Sequence, residues 1–287
     1  MVFQPHQVFK ALALTAFSLF FLNLHTSGTI SKYVNPDYAW LSLCAAYLFF
    51  FLVFIQFFRL WSPKNKHSPS CQHDCHHHSR RKYISYSVLT FPLVTGFLLP
   101  PQTLNATIAA QKGAGLLLQT ENKSLPSEHE EIAVARREVQ QAEFDQRINA
   151  LERSRVIHLT DGVFEPYYGQ INADPQKYNG RTLKMTGFVF KEKSLQTNQL
   201  ILSRFLITHC VADASLIGFL AEFDRAVHLK QDMWIEIEGT LAVTSYKGIS
   251  IPVVNITSWK EIAEPKEPYV YPLYIKLAFT HHNASFS

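Results

Sequence analysis

Four short signatures of catalysis and nucleotide binding are missing from this chain: G-x-S-x-G, G-x-x-x-x-G-K-[ST], G-x-G-x-x-G and H-E-x-x-H. Their absence removes the strained serine elbow, the phosphate-cradling P-loop, the dinucleotide turn and the paired zinc histidines of metalloproteases. Cysteine is scarce, with four in 287 residues. Cys44 lies in an apolar run, Cys71 and Cys75 in a polar loop, and Cys210 far beyond both, so they make no disulfide framework. Charge is sparse as well: 17% of residues are Asp, Glu, Lys or Arg, against 47% hydrophobic. No internal repeat is visible. An enzyme would have to use Cys210 as nucleophile with His209, His158 or His228 as base, and the local signatures of cysteine hydrolases are absent. The chain is read as a non-enzyme.

What it does have is long apolar runs. The mean hydropathy of −0.02 averages two unlike halves, strongly apolar up to about Pro101 and charged beyond it. "YAWLSLCAAYLFFFLVFIQFFRLW", Tyr38 to Trp61, carries no charge until Arg59, and about 20 apolar residues cross a bilayer core. "YISYSVLTFPLVTGFLL", Tyr83 to Leu99, has 17 residues, the lower limit for a span; its Pro92 and Gly96 are tolerated where neighbouring helices satisfy the freed backbone groups. "VFKALALTAFSLFFLNL", Val8 to Leu24, fits either a helix or the core of a signal peptide. No small-x-small cleavage site follows, which favours an uncleaved helix. Two or three transmembrane helices, at about 8–25, 38–61 and 83–99, are therefore expected within a membrane domain of residues 1–104.

Their orientation follows from basic residues beside the spans. Arg59, Lys64, Lys66, Arg80, Arg81 and Lys82 face a single acid, Asp74, in the second connection. That loop, 62–82, is expected in the cytosol, with "HTSGTISKYVNPD" and everything after Pro100 outside. The formal net charge of +4 then reports membrane orientation more than affinity for nucleic acid.

The same loop holds "HSPSCQHDCHHHSRRK", with five of the 13 histidines and two of the four cysteines. Cys71, His73, Cys75, His76, His77 and His78 offer thiolate and imidazole donors, which favour zinc or another soft transition metal over magnesium and calcium. Their spacing matches no closed zinc-finger pattern. A loose, exchangeable site and a plain polar spacer both remain open, and the metal is not named by the sequence.

Beyond the membrane part, residues 105–155 read as a polar linker. It contains a helix over 127–155, with Ser127 and Glu130 as a capping box. Its apolar positions, Ile132, Val139, Phe144, Ile148 and Leu151, keep no heptad register, so a solvated spacer is expected rather than a coiled coil. From Val156 strand-like runs take over at 181–191, 199–208, 215–223, 233–243 and 251–259, with alternation clearest in Trp234, Ile235, Glu236, Ile237 and Glu238. Gly187 and Gly239 interrupt two of them where a barrel needs a bulge or tight bend. Five such strands predict a small all-β, OB-like barrel over 156–268, with a β-sandwich as the other solution, and a tail from 269 to 287. An OB-like surface can bind nucleic acid, but this one is expected on the wrong side of the membrane.

Within that domain "SRFLITHCVADA" places His209 and Cys210 on opposite faces of a regular strand. A bend before Asp213 would let His209, Cys210 and Asp213 converge as a metal or thiol site; the alternative is a buried free Cys beside a surface His. Sequons at Asn105, Asn122, Asn255 and Asn283 arise often by chance and point to nothing further.

Taken in order, "HTSGTISKYVNPDYAWLS", "FPLVTGFLLPPQTL", "NGRTLKMTGFVF", "RFLITHCVADA", "DMWIEIEGTL", "IPVVNITSW" and "PKEPYVY" make the chain resemble the YcgQ-like permease-subunit family of bacteria, over nearly its whole length. The resemblance implies a partner, a larger multi-spanning permease of the YraQ type, and a multi-pass protein of the bacterial inner membrane. Matching motifs carry over Gly28, Tyr33 and Pro36 in the outer loop and Arg204, Cys210 and Asp213 in the β domain. Some relatives have Cys where this chain has His209, an exchange that keeps a metal ligand. The expected function is an accessory subunit of a permease complex that handles a metal ion or metal-linked substrate. The rival readings are a stand-alone membrane-anchored metallochaperone or sensor, and a structural membrane protein without ligand. A peptide of residues 67–80 is expected to bind zinc at micromolar or weaker affinity, and calorimetry that detects no heat of binding removes the metal from this loop.

Overall fold

The computed structural model describes residues 5–59, 77–99, 102–111, 138–192, 194–225, 228–246 and 248–276. They divide into two compact units, Met1–Gln102 and Thr103–Ser287. The first unit holds three helices: α1 (Pro5–Thr26), α2 (Ala39–Arg59) and α3 (His77–Leu98). α1 ends where Gly28 adopts φ 70°, the left-handed conformation that glycine accepts without strain. Two short 3₁₀ turns, Thr29–Lys32 and Pro36–Tyr38, then reverse the chain into α2.

Small and polar side chains join α1 to α2. Ala13 and Ala46 are buried there, the buried Ser18 hydroxyl donates to the Ala46 carbonyl at 3.0 Å, and Gln56 donates to the Gln7 side chain. Small residues let helix backbones approach in an apolar medium, where dispersion and hydrogen bonds replace the hydrophobic effect. The rest of α2 is turned outward, with Tyr47, Phe50, Phe51, Phe54, Phe57 and Phe58 all exposed. Two helical stretches, Gln7–Thr26 and Pro36–Arg59, are long and apolar enough to cross a bilayer. The third expected span is helical, but its apolar portion among the described residues, Tyr86–Leu98, is shorter.

The second unit is mostly β-sheet. Short α4 (Ala106–Gln111) is followed by β1 (Glu138–Gln140), α5 (Gln141–Arg153), β2 (Val156–Leu159) and α6 (Phe164–Ala173). Five longer strands come next: β3 (Thr182–Phe190), β4 (Gln199–Leu206), β5 (Ser215–Glu222), β6 (Trp234–Tyr246) and β7 (Ile249–Glu261). β8 (Tyr269–Val270) and β9 (Tyr274–Lys276) close the described chain. The main sheet runs β2-β3-β6-β7-β5-β4-β8, and β3 also pairs with β4 through Phe188↔Ser203, Val189↔Leu202 and Phe190↔Ile201. The five long strands therefore form a continuous circuit. All five overlap the strand-like runs expected at 181–191, 199–208, 215–223, 233–243 and 251–259.

Close backbone approach explains two glycines in this circuit. A Cβ on Gly218 would stand 2.2 Å from the Leu202 carbonyl oxygen, and one on Gly239 2.5 Å from that of Asn255. Gly239 also lies at the register shift between β6 and β7, the bulge its position suggested. β4 is covered on both faces. Leu200 and Leu202 join the main core with Phe164, Leu183, Phe219 and Val254, while Ile201 and Phe205 join Phe188, Phe190, Ala106, Ala109 and Tyr269. Each large apolar side chain buried in this way contributes about 1.5–3 kcal/mol.

Several expected boundaries shift. The linker helix begins at Gln141; Ser127 and Glu130 lie outside the described residues, and Glu138–Gln140 are a strand paired in parallel with β9. α5 is no solvated spacer, because Leu151 is buried in the main core with Ile148 against it. Those two residues, three apart, put one helical face on the sheet. Residues 269–276, expected as tail, supply β8 and β9. Replacement of Gly218 by Ala is expected to cost about 3 kcal/mol or more through overpacking. Gly169→Ala, in α6 with nothing within 4 Å, should instead stabilise by up to about 1 kcal/mol. Thermal unfolding of the detergent-solubilised chain measures both, and a Gly218→Ala protein as stable as the wild type would contradict the close approach.

Candidate functional site

The sharpest chemical feature of the β unit is one charged side chain in an apolar strand. Arg204 lies in β4 and is 2% exposed. A buried guanidinium must have its donors satisfied, since an unpaired buried charge costs several kcal/mol. Its Nε donates to the Pro268 carbonyl at 3.0 Å, and its Nη2 to the carbonyls of Glu267 at 3.2 Å and Tyr269 at 3.3 Å. The same Nη2 meets Asp161 Oδ1 at 2.9 Å, and the guanidinium carbon lies 5.4 Å from the Trp234 ring centroid and 5.9 Å from that of Phe164. Burial pulls the Arg204 pKa down and Asp161 opposes it; guanidinium remains charged at any physiological pH.

Two neighbouring groups are shifted by the same enclosure. Burial raises the Tyr271 phenol pKa, and the nearby Glu267 adds to it. The Glu165 carboxyl in α6 is also raised by burial, with partial relief from the Leu273 N–H. These groups gather around residues 267–273, which the sequence reading had placed partly in a tail. Arg204 entered that reading through family resemblance. A stronger signal was available: it is the sole charge in "QLILSRFLIT", and such a residue in a buried strand demands partners.

The expected bend after β4 exists, and it brings His209, Cys210 and Asp213 together. Val211–Asp213 form a 3₁₀ turn in which Cys210 and Asp213 cap each other. The Asp213 carboxylate accepts the backbone N–H groups of Thr208 at 3.1 Å, His209 at 2.8 Å and Cys210 at 3.3 Å, and meets His209 Nδ1 at 3.0 Å. A carboxylate engaged by three backbone donors holds a turn. Among the described residues, no group of three or more His, Cys, Asp and Glu side chains is arranged to hold a metal.

The remaining expected site residues divide by position. Cys71, His73, Cys75 and His76 lie outside the described residues, and His77 and His78 open α3. Tyr33 and Pro36 shape the connection between α1 and α2. The Tyr33 N–H closes the first 3₁₀ turn on the Ile30 carbonyl at 2.9 Å, and Pro36 starts the second, where Asn35 Oδ1 accepts the Asp37 N–H at 3.0 Å. A proline at a first helical position loses no intrahelical bond.

This arrangement of apolar helices followed by a β unit can be set beside known proteins. The DUF1980 N-terminal domain matches residues 9–115 and the DUF1980 C-terminal domain residues 134–272. UPF0703 protein YcgQ of Bacillus subtilis (strain 168) is 33% identical over 282 residues, covering 92% of this chain and 99% of that protein. The chain belongs to the YcgQ-like, DUF1980 family. A second relative, from Streptococcus mutans serotype c (strain ATCC 700610 / UA159), is 23% identical over 263 residues, 88% of this chain and 94% of its own length. It is named "Putative two-component membrane permease complex subunit". The DUF1980 N-terminal match extends past the helices to α4, which packs within the β unit.

Asp213→Ala, which frees three backbone donors, is expected to lower stability by about 1–2 kcal/mol. His209→Ala should cost less than about 0.5 kcal/mol, as loss of one exposed side-chain contact does. Chemical denaturation followed with and without zinc measures both. An equal loss from His209→Ala, or a zinc-dependent gain in wild type that His209→Ala abolishes, would rule out a purely structural turn.

Proposed function

We propose that this protein is an accessory subunit of a membrane permease complex, inserted in the bacterial inner membrane beside a multi-spanning permease. What carries the reading is similarity over nearly the full length to the Streptococcus mutans relative named as such a subunit. The two long apolar helices support membrane insertion. Their polar seam of Ser18, Gln7 and Gln56 is already satisfied within the α1–α2 pair, which leaves the outward aromatic face of α2 to lipid and partner.

The orientation follows the basic residues around loop 62–82, which put that loop in the cytosol and the β unit outside. For the β unit, the OB-like reading draws support from the β3-β6-β7-β5-β4-β3 circuit and the parallel β5–β7 pair, a Greek-key order of that type. Metal handling is read from the donors of residues 71–78, with the turn of His209, Cys210 and Asp213 as its second candidate. The subunit acts by binding its partner and performs no chemistry of its own.

The test is recovery of the complex. A tagged chain purified in mild detergent from its native membrane should bring down a multi-spanning permease at fixed stoichiometry. Purification of the chain by itself, from a membrane that contains the permease, would end the subunit reading.

A further inference from the structure

Residues 267–276 run along the β unit as a narrow strap, with Tyr269 and Val270 buried in its two cores. β8 pairs with β4 at only two positions, Phe205↔Tyr269 and Leu206↔Val270. The Ile207 N–H adds a bond to the Val270 carbonyl at 3.0 Å. At the strap's start, the side chain of Arg204 binds three successive carbonyls, those of Glu267, Pro268 and Tyr269. Further along, the Leu273 N–H turns toward the Glu165 carboxyl.

The strap in turn fastens two other segments. The Tyr269 hydroxyl accepts the Leu104 N–H at 2.9 Å, and its ring packs with Ala106 and Ala109 of α4. β9 pairs in parallel with β1 over Glu138↔Tyr274, Val139↔Ile275 and Gln140↔Lys276. α4 has six residues and β1 three, lengths that hold no structure in isolation. Outside the strap, the Ala106 N–H donates to Asp232 Oδ1, and Ala106 and Ala109 pack on the sheet. Beneath α4 and Tyr269 lie Phe188, Phe190, Ile201, Phe205 and Leu216, an apolar face of β3, β4 and β5.

We infer that residues 267–276 are a clasp, pinned by Arg204, that opens as one unit, releases α4 and β1 together and uncovers this apolar face. The five long strands pair with one another in a continuous circuit without it, although Val270 of the strap is buried in their main core. The Arg204 contact is also open to disturbance from outside, because its carboxylate partner Asp161 is half exposed.

Hydrogen exchange of the full chain in detergent, read by mass spectrometry, tests the clasp with two variants. Arg204→Met keeps side-chain length and removes the three carbonyl bonds. Amides in 103–111, 138–140 and 268–276 should exchange at least tenfold faster together, while β3, β6 and β7 keep wild-type protection. Tyr269→Phe removes only the hydroxyl and should speed exchange in 103–111 alone. The clasp is overturned if Arg204→Met loosens only 267–271, or if protection falls uniformly across β3 to β7. It is overturned equally if Tyr269→Phe leaves 103–111 unchanged.

Discussion

The buried guanidinium of Arg204 is the interaction around which the β unit is arranged. One side chain, placed by β4, reaches back to a segment more than sixty residues later and binds three of its carbonyls. A buried carbonyl without a partner costs about 1–3 kcal/mol, and on a segment with a two-residue ladder the guanidinium supplies donors to three of them. The arrangement is reciprocal: the carbonyls make burial of the charge tolerable, and the charge makes burial of the carbonyls tolerable. Asp161 completes the balance from the surface side, and the aromatic faces of Phe164 and Trp234 receive the flat cation.

The sheet itself depends on a different constraint, the room between backbones. Gly218 and Gly239 allow β4 to approach β5 and β7 to approach β6 more closely than any side chain would permit. With these approaches made, apolar residues on both faces of β4 are covered, one set by the main core and the other by α4 and Tyr269. In the helical unit the corresponding role falls to Ser18 and Ala46, which bring α1 and α2 together, while Phe49 packs on Phe17 and Phe21 and most of the other α2 aromatics face outward. Both units thus use small residues where backbones meet and large ones where they do not.

The same geometry separates two candidate sites of very different standing. The Asp213 carboxylate is committed to three backbone donors and the His209 ring, so the cluster that spacing brought to notice is the locked end of β4. The strap that Arg204 pins meets β4 at two paired positions and holds both α4 and β1, and it is there that a conformational response has a physical basis.

How much of this was legible in the residues follows from how each signal arises. Apolar run length by itself determined α1 and α2, and short runs of strand-forming residues determined β3 to β7, with alternation clearest in β6, because both are local consequences of burial in a bilayer or in a sheet. Gly239 could be read as a bulge for the same reason. Linear order could not reveal α4, β1, β8 or β9: segments of two to six residues have no period to detect and exist only through their neighbours. Nor could it decide whether 141–153 stands free or lies on the sheet, since Ile148 and Leu151 are too few to declare a core face until the core is present. What only the tertiary structure decided was pairing at a distance, Arg204 with residues 267–269 and Asp213 with the turn before it. A charge or a carboxylate in a sequence states a need for partners, and folding alone determines which groups meet it.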